Sequence, residues 1–150
     1  PICKFPTLED LITLAETKTY SGFDNFVRGK NFEFVKKRKV STTKTEYIYE
    51  YKFQDEYDNT TYIDRCIFTD FGDEKPLISF MTASEDLINK YKKPSLLLKG
   101  FKEISECKEE VETTVKFCYE SDKYSLTLRD TKQFDKKTPY RSYSVGIFKK

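Results

Sequence analysis

The sequence predicts an α+β protein made of two tandem helix-plus-antiparallel-sheet repeats packed as one unit, residues 1–82 and 83–150. Three observations predict it. Apolar residues recur at helical spacing after Thr7 and again after Ser84. In the remaining segments of both halves the period shortens to two, with aromatic side chains at alternate positions. A glycine marks the change of period each time, in Val27-Arg28-Gly29 and in Leu98-Lys99-Gly100.

The first helix is expected from Thr7 to about Thr17. Thr7 can cap it, Glu9 and Asp10 favour its positive end, and Leu8, Leu11, Ile12 and Ala15 form its apolar side. A second helix is expected from Ser21 to Arg28, with Phe23, Phe26 and Val27 on one face and Gly29 as its stop. Phe32 and Phe34 then alternate with Glu33, and Lys36 to Lys39 with the polar stretch Ser41 to Thr45 reads as a solvated hairpin tip. Glu46 to Phe53, with Tyr47, Tyr49, Tyr51 and Phe53 on alternate positions, reads as a strand with one aromatic face. Turn chemistry at Asp55 to Asn59 precedes a strand from Thr61 to Thr69, and Pro76 opens the last strand of this half, through Met81.

The second half repeats the plan. Ser84 caps a helix bearing Leu87, Ile88 and Tyr91, Pro94 interrupts it, and a short turn through Leu96, Leu97 and Leu98 ends at Gly100. Strands follow at Phe101 to Lys108, Val111 to Glu120, Tyr124 to Arg129 and Tyr140 to Phe148. Tyr47-Ile48-Tyr49 corresponds to Val115-Lys116-Phe117, an internal repeat of roughly 70 residues.

Composition narrows the function. Eleven Tyr and 13 Phe in 150 residues supply core area despite an apolar fraction of 37%. Basic and acidic residues nearly cancel at 27 against 25, which argues against a phosphate-backbone partner. No apolar run is long enough for a membrane span. The absence of histidine removes the commonest general base and metal ligand, and with it every histidine-activated nucleophile. No catalytic, cofactor-binding or metal-binding residue is therefore assigned. Acid pairs such as Asp70 with Asp73, or Glu109 with Glu110, read as turn residues. Asp64 has apolar strand neighbours that could bury it, with an ion pair or an outward position as the plainer reading. The acidic clusters Asp55 to Asn59 and Asp70 to Glu74 lack the twelve-residue calcium-loop pattern.

Cys3, Cys66, Cys107 and Cys118 form no C-x-x-C pair, and they permit three disulfide pairings. Cys3 with Cys66 and Cys107 with Cys118 keeps each bridge within one half; free buried thiols are the alternative. The start Pro1-Ile2-Cys3 suggests a processed, exported chain, periplasmic or secreted. Ile2 disfavours a lipid anchor at Cys3. What remains is recognition of another protein, with Tyr57, Tyr62, Tyr140 and Tyr143 as candidate contact residues and Tyr119 as a further tyrosine to divide between core and surface. The partner, the contacting face and the oligomeric state stay open.

Leu8-Glu9-Asp10-Leu11-Ile12, Phe23-Asp24-Asn25-Phe26-Val27, Lys30-Asn31-Phe32-Glu33-Phe34, Ile78-Ser79-Phe80-Met81-Thr82 and Leu98-Lys99-Gly100-Phe101-Lys102 together resemble small exported proteins of the flavobacterial type. That resemblance implies export through a cleaved leader and carries no reaction. The tandem plan also looks like the β-lactamase-inhibitor-protein arrangement, whose sheets grip another protein. The functional expectation is a non-catalytic protein-binding module, an immunity protein or inhibitor of a toxin or hydrolase; the alternative is a small-ligand or glycan binder of the cell envelope.

Overall fold

The computed structural model describes residues 6–17, 19–54, 56, 57, 59, 61–72, 75–84, 91, 96, 97, 99–107, 109–111, 114–131 and 142–150. It is an α+β fold in which, among the described residues, one continuous antiparallel sheet carries two helices on one face. The elements run α1 (Leu8–Thr17), α2 (Tyr20–Gly29), β1 (Glu33–Lys39), β2 (Thr45–Gln54), β3 (Thr61–Asp70), β4 (Leu77–Thr82), β5 (Lys102–Glu103), β6 (Glu109–Val111), β7 (Thr114–Glu120), β8 (Tyr124–Thr131) and β9 (Ser142–Lys149).

Local chemistry explains both helices. Thr7 and Asp10 cap α1 reciprocally: the Asp10 amide donates to Thr7 Oγ1 at 3.2 Å and the Thr7 amide to Asp10 Oδ2 at 3.0 Å. Thr19 caps α2 by accepting from the Gly22 amide at 3.1 Å. The residue that stops α2 is not Gly29, which is its last helical residue. Asn31 takes the left-handed conformation instead, at φ 68, and the Phe32 amide reaches back to the Val27 carbonyl at 3.0 Å. Gly100, at φ 80, sits in the same closure, with the Phe101 amide donating to the Leu96 carbonyl at 3.0 Å. Phe32 and Phe101 are both buried as a result. The helix expected after Ser84 falls largely outside the described residues.

The sheet order is β1-β2-β3-β4-β9-β8-β7-β5, with β6 also on β7. Two up-and-down meanders thus meet where β4 pairs with β9, in the register Ile78↔Ile147, Phe80↔Val145 and Thr82↔Tyr143. Two strand expectations need correction. Among the described residues of Phe101 to Lys108, strand pairing is confined to Lys102–Glu103 before a 3-10 turn at Ser105–Cys107, and Val111 to Glu120 is divided between two arms of a hairpin, Val111 ending β6 and Thr114–Glu120 forming β7. Both deviations lie on one edge of the sheet, where no further strand among the described residues enforces regular pairing. Glu109 and Glu110 consequently belong to a strand rather than to a turn.

The opposite edge is β1. Lys36 to Lys39 are strand residues there, not a hairpin tip, and every residue of β1 is exposed. A register shift between Phe34 and Lys36 bends the strand. Clustered positive charge and a bulge both discourage edge-to-edge pairing.

Alternation divides the sheet into two unlike faces. Tyr47, Tyr49 and Tyr51 share the inner face with Cys66, Phe68, Ile78, Phe80, Val145, Ile147, Leu126 and Tyr119, and this face meets the helices. Leu8, Leu11, Leu14 and Ala15 of α1 and Phe23 and Val27 of α2 are buried against it. α1 lies over β4 and β9, the seam between the meanders.

Tyrosine hydroxyls anchor each helix. Tyr49 is fully buried, and its hydroxyl donates to Asp24 Oδ1 and lies 2.6 Å from the Tyr20 hydroxyl. Arg28 Nε donates to the same Asp24 oxygen at 2.9 Å. On α1, Glu16 accepts from the Tyr124 hydroxyl of β8 and from Lys149 Nζ of β9 at 2.9 Å. Hydrogen bonding by Tyr49 holds the Asp24 carboxyl below its ordinary range, and hydrogen bonding by Tyr124 does the same for Glu16. Burial, with Glu16 second, pushes Tyr124 up to about 12.

Replacing Tyr49→Phe removes the link between α2 and the sheet and is expected to cost about 1–2 kcal/mol in urea unfolding. The unfolded chain binds protons to both carboxyls at higher pH than the folded one. Their stabilisation is therefore full above the usual carboxylate pKa of about 4 and declines as pH falls through the lower folded values. Urea melts between neutral and acid pH should show Asp24→Asn with a flatter acid loss than the parent protein.

Candidate binding face

Both described helices occupy the inner face, so the outer face of the sheet is the broadest surface left open among the described residues. Its side chains follow from the register. One cross-strand row runs Lys36, Ile48, Ile67, Ser79, Gly146, Thr127 and Cys118; the next runs Glu50, Arg65, Met81, Ser144, Arg129 and Lys116. Ile63, Ile67, Leu77 and Met81 are half-buried there, and Phe148 is 40% exposed. Isolated apolar side chains are ordinary on a surface, but a contiguous set flanked by charges is the pattern of a contact region.

The charges on this face differ in how they are held. Arg65 directs Nε and a terminal nitrogen onto Glu50 Oε2 at 3.1 and 2.6 Å. Arg38 does the same to Glu46 Oε1 at 3.1 and 2.5 Å. These pairs sit on the first meander and fix its surface without leaving net charge.

At the seam the surface dips. A hollow of about 390 Å³ has Ser79, Gly146 and Thr127 on its floor, with Leu77 and Phe148 on one side, Phe71 at the rim, and Lys75 and Arg129 as its charged residues. The floor is low because its residues are small; a Cβ on Gly146 would stand 3.5 Å from Leu77 Cδ1 and 3.6 Å from Ser79 Oγ. Lys44 Nζ stands 5.9 Å from the centre of the Phe71 ring and supports it. A second hollow, of about 580 Å³, lies at the β1 edge between Asn31, Phe34, Glu50 and Tyr51.

The four candidate tyrosines separate. Tyr57 is 99% exposed in the β2–β3 connection, and Tyr62 is half-buried, its ring 5.5 Å from that of Phe53 in a stacked arrangement. Tyr143 is buried at 5% exposure on the inner face, because its register with Thr82 turns it towards the helices, and it is therefore a core residue rather than a contact residue. Tyr119 is buried as well, and burial raises its pKa. Tyr140 lies outside the described residues.

Asp64 is wholly buried on the inner face, opposite Tyr51 and beside Cys66. It faces neither outward nor into either hollow. Among the described residues no group of three or more potential metal ligands comes together. Parts of both acidic clusters weighed for calcium, including Asp55, Asp58, Asp73 and Glu74, lie outside the described residues.

Cys107 and Cys118 form a disulfide with Cα atoms 5.7 Å apart, tying the 3-10 turn to β7. Cys66 is a free thiol buried in the middle of β3, and burial holds its pKa well up. Its sequence-expected partner Cys3 lies outside the described residues. No described helix is long and apolar enough to cross a membrane.

The residues missed from sequence are those of the hollow. Ser79, Thr127 and Gly146 look like unremarkable outward positions until the pairing of β4, β9 and β8 lines them up. The chain matches no known protein family, no curated protein and no solved structure.

Two thiol experiments follow. Opening the eleven-residue separation by Cys107→Ser with Cys118→Ser is expected to cost about 2–3 kcal/mol in denaturant unfolding. Iodoacetamide should leave Cys66 unmodified in the native protein and label it in denaturant, read by peptide mass mapping.

Proposed function

We propose that the chain is a non-catalytic protein-binding module whose outer sheet face contacts the partner, acting as an immunity protein or inhibitor in the periplasm or outside the cell. The observation that carries this reading is the asymmetry of the sheet. One face is filled by helices, while the other presents Ile63, Ile67, Leu77, Met81 and Phe148 within a frame of ion pairs. Apolar centres in polar frames are the usual anatomy of protein interfaces.

The absence of histidine supports a non-catalytic role, as does the burial of Asp64 away from both hollows. The disulfide supports an oxidising compartment. The matching closures at Asn31-Phe32 and Gly100-Phe101, with four sheet columns following each, support a duplicated helix-and-meander unit. In that reading a twofold relation centred on the β4–β9 seam makes the outer face a single wide platform.

A small-ligand or glycan binder is the second reading, and the seam hollow is what favours it. It would act at the hollow alone, whereas a protein partner would also cover Ile63 and Met81.

The test uses a protein captured by the disulfide-intact chain from the extracellular or periplasmic fraction of its producing cell, followed by calorimetry with purified components. Ile63→Glu and Met81→Glu should weaken binding by about tenfold or more. Asn25→Arg, on the exposed side of α2, should leave it unchanged. The opposite pattern would move the interface to the helices and overturn the outer-face assignment.

A further inference from the structure

Building on the protein-binding reading, we infer that the hollow at the β4–β9 seam receives an acidic segment of the partner: a carboxylate side chain next to an apolar one. Three features converge on that chemistry. The charged residues of the hollow, Lys75 and Arg129, are both cationic, and no acid lines it among the described residues. Arg38 and Arg65 are each neutralised by a carboxylate on this face, but Arg129 has no carboxylate of the described residues within ion-pairing distance. Finally, Arg129 stands directly opposite Lys116 in the β7–β8 register. Lys116 also stands opposite Glu109 in the β6–β7 register, so the cation that this row presents at the hollow is Arg129.

The shape selects among anions. A planar guanidinium grips a carboxylate through two parallel N–H donors. Lys75 also lines the hollow, and its ammonium donates to the Lys150 carbonyl oxygen. On the Lys75 side, Leu77 and Phe148 leave an apolar shelf, and Phe148 is 40% exposed. The small floor of Ser79, Gly146 and Thr127 gives a side chain depth to enter. A nucleic-acid strand would need cations in a line matching its phosphates. Here the two cations flank a partly apolar depression, which fits an acidic–aromatic peptide segment better.

The test is a backbone-amide NMR titration of the disulfide-intact chain. Its probe is the capped peptide acetyl-Ala-Asp-Phe-Asp-Ala-amide. The lysine-for-aspartate version and a short oligodeoxythymidylate serve as comparisons. The acidic peptide should shift the amides of Ser79, Thr127, Arg129 and Gly146, and added salt should weaken its binding. Arg129→Glu and Gly146→Val should each weaken it by about tenfold. Gly146 has an ordinary φ and room for a Cβ, and a melting curve of Gly146→Val recorded beside its affinity separates a filled floor from a lost fold.

Shifts elsewhere, an equal response to the lysine peptide, or no response would overturn the inference. Tighter binding of the oligonucleotide at the same amides would reassign the hollow to nucleic acid. A captured protein whose binding ignores Arg129→Glu and Gly146→Val but fails with Ile63→Glu would overturn the acidic-segment inference alone. A peptide that binds the hollow while Ile63→Glu and Met81→Glu leave the captured protein's affinity intact would overturn the broader outer-face reading alone.

Discussion

The pairing of β4 with β9 is the constraint on which the rest of this structure depends. Each meander is by itself a small sheet of four short columns, and the two contribute to one buried cluster. Joined at Ile78↔Ile147 and Phe80↔Val145, they give α1 a floor on which Leu11, Leu14 and Ala15 are buried. The same join places Ser79 beside Gly146 on the reverse side, so the core and the outer hollow are two consequences of one register. A one-residue slip would exchange the two faces at the seam, putting Ser79 under the helix and Ile78 in solvent.

Polar chemistry on the inner face is sparse and placed to position helices. The Tyr20–Tyr49–Asp24–Arg28 chain and the Glu16 contacts to Tyr124 and Lys149 lie at opposite sides of the helical layer. Apolar packing alone tolerates sliding, whereas these hydroxyl-to-carboxylate bonds choose one position for each helix. The outer face uses charge differently. Its salt bridges on β1, β2 and β3 cancel locally, while the cations near the seam are left to shape the potential over the hollow.

Much of the first half was legible in sequence because its signals are local. The Thr7–Asp10 cap, the apolar stripe of α1, and the alternation of Tyr47, Tyr49 and Tyr51 each depend on residues within a few positions of one another. The stop of α2 was misplaced by two residues, since asparagine also takes the left-handed conformation and here does so in preference to Gly29. The β5–β6 edge was misread for another reason. A regular period of two describes a strand with partners, and this edge is interrupted by a turn that the Cys107–Cys118 bridge holds. Tyr143 and Asp64 were hardest, because tyrosine and aspartate suit either face and only the register decides. The hollow was invisible, since it requires three strands from both halves of the chain.

The seam also orders events in time. β4 is complete by Thr82, yet its partner begins at Ser142, so during synthesis the first meander waits with one hydrogen-bonding margin and the bed of α1 unfinished. Non-local pairing of this kind folds slowly, because a long loop must close before any contact rewards it. The first meander therefore completes its pairing, and the bed of α1, only once β9 is in place.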